Sequence, residues 1–118
     1  MVLRRERGQA AERLALDYLR RQGLQLRESN YRCRAGEIDL VMSDGASLVF
    51  VEVRHRSNPR FGGAAASVDA AKQRKLIATA RHYLQATGTD SPARFDVIAI
   101  DATGTPQWIR DAFAADAD

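Results

Sequence analysis

Apolar residues recur along the chain with two different spacings, and each spacing predicts one kind of element. A spacing of three to four residues predicts two amphipathic helices, from about Glu6 to Gln22 and from Ser67, as N-cap, to about Thr87. Gly23 and Gly88 follow these helices at the position where glycine commonly ends one. Apolar runs predict five strands: Leu24–Cys33, Glu37–Met42, Leu48–Arg54, Arg94–Asp101 and an edge strand, Trp108–Phe113. The core order α-β-β-β-α-β indicates an α/β fold, a mixed sheet flanked by helices.

The second and third strands are predicted to form a hairpin. The segment Ser43–Ala46 that joins them contains Asp-Gly, a strong turn signal between apolar runs. With a loop of two or four residues, we expect Glu37 to lie opposite Glu52. Asp39 and Glu52 would then be diagonal neighbours on one face, with β-carbons somewhat under about 7–8 Å apart. Arg54 shares that face.

An acidic residue lies inside each hairpin strand, where apolar neighbours predict burial. These residues are Asp39 and Glu52. Burying a carboxylate without a partner is costly, so such residues are typical of sites where a cation meets them. Because a basic residue, Arg54, follows two positions after Glu52, the pattern favours a metal-dependent phosphodiesterase site.

Both helices are expected to contribute to this site. Glu12 falls within the apolar arc of the first helix, so we expect it to point inward; the arc contains Ala11, Leu14, Ala15, Tyr18 and Leu19. In the second helix, Gln73 lies in the apolar stripe, where it would support the site or be satisfied by a loop, and Lys72 and Lys75 flank it. Mg²⁺ or Mn²⁺ held by carboxylates would activate water and neutralise charge on the phosphoryl oxygens. The predicted metal ligands are Asp39, Glu52 and Glu12.

Basic residues are concentrated in the middle of the chain. The 118 residues carry a net charge of +3, but between residues 53 and 88 seven Arg and Lys accompany one acid, Asp69, which gives that segment +6. A segment of one sign predicts a surface that contacts a polyanion, with a solvated helix face as the alternative. The predicted phosphate contacts are Arg54, Arg56, Arg60, Lys72 and Lys75.

The composition narrows the class of protein. A chain of 118 residues with 45% hydrophobic content predicts one domain, residues 1–118, with a core at about 7–113 and frayed ends. The single cysteine, Cys33, cannot form an internal disulfide, and His and Cys do not cluster at zinc-ligand spacing. No apolar run approaches the roughly 18 residues that span a bilayer. We therefore expect a cytoplasmic protein that does not contact membranes.

Several short motifs carry a resemblance to a known family. They are Gly36-Glu37-Ile38-Asp39-Leu40-Val41, Phe50-Val51-Glu52-Val53-Arg54-His55-Arg56, Arg94-Phe95-Asp96-Val97, and the single residues Gly8, Glu12 and Lys72. Over about residues 7–113 the chain resembles the bacterial YraN-like family, which is similar in motif to the PD-(D/E)xK nucleases. The resemblance implies a restriction-endonuclease-like αβββαβ core and a metal-dependent endonuclease acting on DNA, including branched or damaged DNA. A homodimer would suit a junction substrate.

The resemblance also implies roles for individual residues. Asp39 and Glu52 would be metal ligands, and Glu12 would contact the metal directly or through water. The motif usually has lysine where this chain has Arg54. Arginine binds phosphate bidentately, but its guanidinium stays protonated in proteins and cannot accept a proton. Lys72 and Lys75 on the second helix are candidates for the role of the motif lysine.

Two other functions stay open on the sequence alone. A non-catalytic nucleic-acid-binding module would keep the fold and the basic surface and lose turnover through Arg54. A protein-interaction domain would use Asp39 and Glu52 structurally, in ion pairs with nearby arginines. Glu37, at the entrance of its strand, is expected to be exposed, and Asp96 is expected to be a structural hydrogen-bonding residue.

Overall fold

The computed structural model describes residues 4–56 and 68–115, which contain two helices and five strands. Helix α1 spans Arg4–Arg21 and helix α2 spans Ala70–Thr87. The strands are β1 (Gln25–Cys33), β2 (Gly36–Asp44), β3 (Ser47–Arg56), β4 (Ala93–Asp101) and β5 (Pro106–Phe113). The α-β-β-β-α-β order is confirmed, with β5 as the additional edge strand. The segment Ser57–Ala66, for which Asn58-Pro59 and Gly62-Gly63 predict a loop, lies outside the described residues.

The five strands form one mixed sheet in the order β1-β2-β3-β4-β5. Neighbouring strands are antiparallel except for β3 and β4, which are parallel. Parallel strands need a long connection, and α2 lies in the segment that joins these two. Among the described residues, no helix is long and apolar enough to cross a membrane.

Each face of the sheet is covered by one helix. Under α1 the buried core includes Ala11, Ala15, Leu19, Leu40, Val49, Val51, Ile98 and Ile100. Under α2 it includes Ile38, Phe50, Leu76, Ile77, Ala80, Tyr83, Phe95 and Val97. Leu14, expected in the apolar arc of α1, is instead 43% exposed, because the stripe that meets the sheet runs along Ala11, Ala15 and Leu19 at a spacing of four residues.

The hairpin between β2 and β3 closes through a turn of two residues, Gly45 and Ala46. Asp44 and Ser47 are still paired across the hairpin, so the strands are longer than the sequence predicted. Gly45 has φ +61, a conformation that suits glycine at the first position of a tight hairpin turn. Asp44 stays in the strand, and its Oδ2 accepts a hydrogen bond from Arg94 Nη2 at 3.1 Å. This side-chain contact explains why the turn is centred one residue later than the Asp-Gly signal suggests.

The predicted register of the hairpin was therefore wrong by two residues. Leu40 pairs with Val51, so one further step along both strands brings Asp39 opposite Glu52. The sequence had placed Glu37 in that position. The loop has an even length, as expected, and between Leu40 and Val51 a shift of two residues leaves each paired side chain on its predicted face. The two acids are consequently direct rather than diagonal neighbours.

Helix α2 begins two residues later than expected from Ser67. Its N-cap is Asp69, whose Oδ1 accepts a hydrogen bond from the backbone N–H of Lys72 at 2.8 Å. Aspartate caps a helix N-terminus as well as serine does, and the negative charge of Asp69 also interacts favourably with the positive end of the helix dipole. Ser67 lies outside the described residues. At the other end Gly88 adopts φ +65 and ends the helix as predicted.

Asp96 in β4 holds the far edge of the sheet in place. The residue is completely buried, and its carboxylate accepts hydrogen bonds from Arg94 Nε at 3.0 Å, Trp108 Nε1 at 2.9 Å and the backbone N–H of Asp111 at 2.9 Å. These bonds connect β4 with β5 and satisfy the buried charge. Asp96 is therefore the structural hydrogen-bonding residue that the sequence suggested.

Replacing Asp96 with alanine should destabilise the protein strongly. Asp96→Ala leaves three donors without their acceptor and breaks a buried ion pair with Arg94, so the free energy of unfolding should fall by about 3 kcal/mol. Urea unfolding followed by circular dichroism measures this change. Asp17→Ala, at an exposed position of α1, serves as the control and should change it by less than about 0.5 kcal/mol. A loss below about 1 kcal/mol for Asp96→Ala would contradict the structural role.

Candidate metal and phosphate site

Three carboxylates from α1 and β2 converge at the start of β2. One oxygen each from Glu12, Glu37 and Asp39 lies within 4.8 Å of the other two, and all three residues are half-buried. Glu12 lies at the edge of the buried stripe of α1, next to Ala11 and Ala15. Because this stripe packs on the sheet, the Glu12 side chain lies close to β2. Carboxylate oxygens grouped in this way are the ligands that Mg²⁺ and Mn²⁺ prefer.

Asp39 occupies the point where β2 separates from β3. Backbone pairing between the two strands ends at Leu40 and Val51, and beyond it the Asp39 Oδ2 atom accepts the backbone N–H of Val53 at 2.8 Å. The carboxylate thus takes the place of a backbone carbonyl in the ladder. The regular alternation of side chains between the two faces of the sheet also breaks here. Ile38 packs under α2 and Leu40 packs under α1, although residues two apart on a regular strand lie on the same face. Asp39 is held at the gap between the strands, within reach of both helices.

Glu52 lies opposite Asp39, between two cations. It is only 6% exposed, and its Oε2 atom is 3.2 Å from Arg54 Nε and 3.7 Å from Lys72 Nζ. The Arg54 Nε–H is not aligned with that oxygen, and among the described residues this buried atom has no hydrogen-bond partner. Lys72 belongs to the first turn of α2, so this helix contributes a cation to the site. Together with Arg54 it places two positive charges beside Glu52.

The crowding of these acids raises their pKa values. Burial raises the pKa of Glu52 to about 7, the negative charge of Asp39 adds to the rise, and Lys72 and Arg54 oppose it. Burial also raises the pKa of Asp39, although the N–H of Val53 lowers it. The pKa of Glu12 is raised by burial and then by Asp39. Asp39 and Glu52 also affect each other directly: their mutual interaction lowers the pKa of Asp39 and raises the pKa of Glu52.

The other predicted site residues lie at different distances from the acids. Gln73 donates from Nε2 to the backbone carbonyl of Val68 at 3.0 Å, so it fixes the loop before α2. Lys75 is exposed on α2, and its Cβ lies 3.8 Å from where a Cβ on Gly36 would be, at the start of β2. Arg56 ends β3, and its side chain and Arg60 lie outside the described part of the chain.

Glu37 is the member of the acidic group that the sequence did not assign to the site. It was expected to be exposed, but its side chain is 34% exposed and pairs with Arg32 across β1 and β2. The predicted register placed it opposite Glu52, at the entrance of the strand, where solvent exposure was expected. The signal that could have identified it is its spacing, because Glu37 lies two positions before Asp39 on the same strand.

Comparisons with known proteins show close relatives. Residues 11–100 match the model of the uncharacterised protein family UPF0102. A UPF0102 protein of Methylobacillus flagellatus is 59% identical over 111 residues, which span 92% of this chain and 96% of that protein. A UPF0102 protein of Janthinobacterium sp. (strain Marseille) is 56% identical over 108 residues, which span 92% of this chain and 87% of that protein. These names state no activity, so the function has to be argued from the site.

The raised pKa of Glu52 predicts that stability falls as the pH rises. Between the ordinary value of 4.5 and about 7 the folded protein keeps a proton that the unfolded chain loses. The stabilisation is complete below pH 4.5 and is lost by about pH 7, a change of at most about 3 kcal/mol in the free energy of unfolding. Urea unfolding at pH 4.5, 6 and 8 measures it.

Glu52→Gln supplies the comparison, because an amide does not ionise in this range. The variant should lose less stability between pH 4.5 and pH 8 than the wild type. Glu28→Gln, at an exposed position of β1, should keep the wild-type dependence. Parallel pH curves for the wild type and Glu52→Gln would show that Glu52 does not hold the proton.

Proposed function

The chain belongs to the uncharacterised protein family UPF0102, and we propose that it is a metal-dependent endonuclease that hydrolyses DNA phosphodiester bonds, including those of branched or damaged DNA. One observation carries the proposal. Four carboxylates meet two cations where β2 and β3 separate, so ligands for a divalent metal lie beside charges for a phosphate. The resemblance of the same residues to PD-(D/E)xK nucleases supports it.

The acidic residues fit Mg²⁺ or Mn²⁺ as ligands. Their donor atoms are all oxygens, which suits these hard cations better than zinc or copper. Asp39, Glu12 and Glu52 would hold the metal as predicted, and Glu37 joins them through its place in the acidic group. A bound divalent cation would supply an activated water and neutralise charge on the phosphoryl oxygens.

The two cations fit the substrate phosphate. Arg54 presents a planar guanidinium whose donors match phosphate oxygens. Lys72 approaches the same oxygen of Glu52, Oε2, and is 37% exposed; its ammonium group takes the role that the motif lysine has in similar nucleases. Arg54 orients the phosphate, and Lys72 stabilises the negative charge that develops during hydrolysis.

The basic surface of α2 extends the proposed contact with DNA. Arg74, Lys75 and Arg81 are exposed on this helix, and no acidic residue lies within Ala70–Thr87. Contacts of this kind go to the phosphate backbone, so affinity should fall steeply with salt and depend little on base sequence. A homodimer would present two such surfaces to a junction.

Asp39→Asn should abolish nuclease activity, because the amide removes a metal ligand while keeping the shape of the side chain. Cleavage of fluorescent duplex and four-way-junction DNA with Mg²⁺ or Mn²⁺ should fall by about a hundredfold or more, with loss of Mn²⁺ binding in calorimetry. Glu28→Gln is the matched control and should cleave normally. Wild-type protein that binds no Mn²⁺ and cleaves none of these substrates would refute the proposal.

A non-catalytic nucleic-acid-binding module is the second candidate. It is favoured by the ion pairs that Arg54 and Lys72 already make with Glu52 and by the inability of Arg54 to accept a proton. The variant Arg54→Lys separates the candidates in the same cleavage and binding assays. DNA binding without metal, and no cleavage by either the wild type or Arg54→Lys, would support the module. Cleavage that appears or increases in Arg54→Lys would support an enzyme weakened by the arginine.

A further inference from the structure

We propose that His82 is a phosphate-contacting residue, positioned by Tyr31, at the far end of a basic track that leads one DNA strand away from the acids. The track lies along the flank of α2 that faces β1 and consists of Lys72, Lys75 and His82. The inference rests on the proposed function, because it states how the substrate of the same site is bound. Neither Tyr31 nor His82 was among the residues that the sequence assigned to the site.

Contacts with three neighbouring strands define this flank of α2. Lys72 approaches the buried acid of β3 at 3.7 Å. Lys75 lies beside the start of β2, where a Cβ on Gly36 would be 3.8 Å from its own Cβ. His82 hydrogen-bonds the hydroxyl of Tyr31 on β1. Since residues spaced by three and seven positions share one side of a helix, the track crosses the sheet from β3 to the edge strand β1.

The side chain of His82 is held in place although it is exposed. The Tyr31 hydroxyl is hydrogen-bonded to its Nδ1 atom, and the two rings lie 5.9 Å apart between centroids. Tyr31 itself is half-buried and meets the buried ring of Tyr83 edge-on at 5.1 Å. A hydroxyl that donates to Nδ1 leaves the imidazole proton on Nε2. His82 therefore presents a donor that is oriented before a ligand arrives, which lowers the entropic cost of binding.

The charge and the length of the track fit a phosphate backbone. Helix α2 contains no acidic residue, and both Lys75 and His82 are exposed. Lys72 and His82 are ten residues apart, or about 15 Å along the helix axis. Phosphates of one strand recur about every 3.4 Å along the axis of a duplex. The three residues thus contact different phosphates, whereas a small anion would meet only one of them.

DNA affinity of the variant His82→Ala tests the proposal. Fluorescence anisotropy with duplex and four-way-junction DNA, in Ca²⁺ and in EDTA, gives the Kd. We expect the Kd to rise about tenfold, as for the loss of a hydrogen bond to a charged group. Gln85→Ala is the matched control, because Gln85 is an exposed and uncharged residue of the same helix. It should leave the Kd unchanged, and an equal loss in both variants would overturn the inference.

Tyr31→Phe distinguishes positioning from a general effect on the edge of the sheet. This substitution keeps the ring against Tyr83 and removes only the hydroxyl, so it should raise the Kd by less than His82→Ala does. In the His82→Ala background it should cause no further loss. Additive effects of the two substitutions would overturn the inference, as would equal Kd values of the wild type and His82→Ala; both results would leave the proposed nuclease standing. Wild-type protein that binds none of these DNAs would refute the proposed function, and the inference with it.

Discussion

The structure depends on two carboxylates, the half-buried Asp39 and the buried Glu52, which lie opposite each other where β2 and β3 separate. Asp39 and Glu52 repel each other and lose hydration, and either effect alone would favour exposing them. The fold keeps both through a few specific contacts: the backbone N–H of Val53 at Asp39 and the cations Arg54 and Lys72 at Glu52. Because these contacts come from β3 and from α2, both acids keep their partners only when the hairpin and α2 are in place.

The same requirement explains the irregular geometry around the site. Regular pairing beyond Leu40 and Val51 would give the Val53 region a backbone partner on β2 and close the gap between the strands. Instead the Asp39 side chain takes that N–H, and the β1–β2 pair turns over at the level of Asn30, which stands across from Asp39 and has a φ of +54. The gap lets α1 and α2, which cover opposite faces, both contribute side chains to one cluster. A flat and fully paired sheet would have kept Glu12 and Lys72 apart.

The sequence predicted the elements and the faces better than it predicted the distances between residues. Apolar periodicity located both helices and all five strands, because burial patterns depend on spacing alone. The predicted hairpin register was wrong because it placed Asp44 in the turn, whereas Asp44 belongs to β2. There its carboxylate accepts a hydrogen bond from Arg94, which is fifty residues away in the sequence and could not be foreseen from the local turn signal. Glu37 was missed because a residue at the entrance of a strand is expected to be exposed, and only the packing of α1 on β2 shows that Glu12 comes close to it. The turnover at Asn30 leaves no periodic signal, since a single positive φ changes the face without changing the number of residues.

The ion pairs of Glu52 also indicate how metal and phosphate binding would be connected in the proposed function. Glu52 has a pKa of about 7, so near neutral pH it is divided between a protonated form and a carboxylate paired with Arg54 and Lys72. A divalent metal held by this carboxylate would compete with the proton and with Arg54 and Lys72 for it, which would leave the two cations available to an anion. A phosphate that binds the cations in turn releases the carboxylate for the metal. With the metal alone, Arg54 and Lys72 would lose their anionic partner; with the phosphate alone, the Glu52 carboxylate would lose its cations. When both ligands bind, all of these charges are paired. Each ligand should therefore raise the affinity of the site for the other by the same factor.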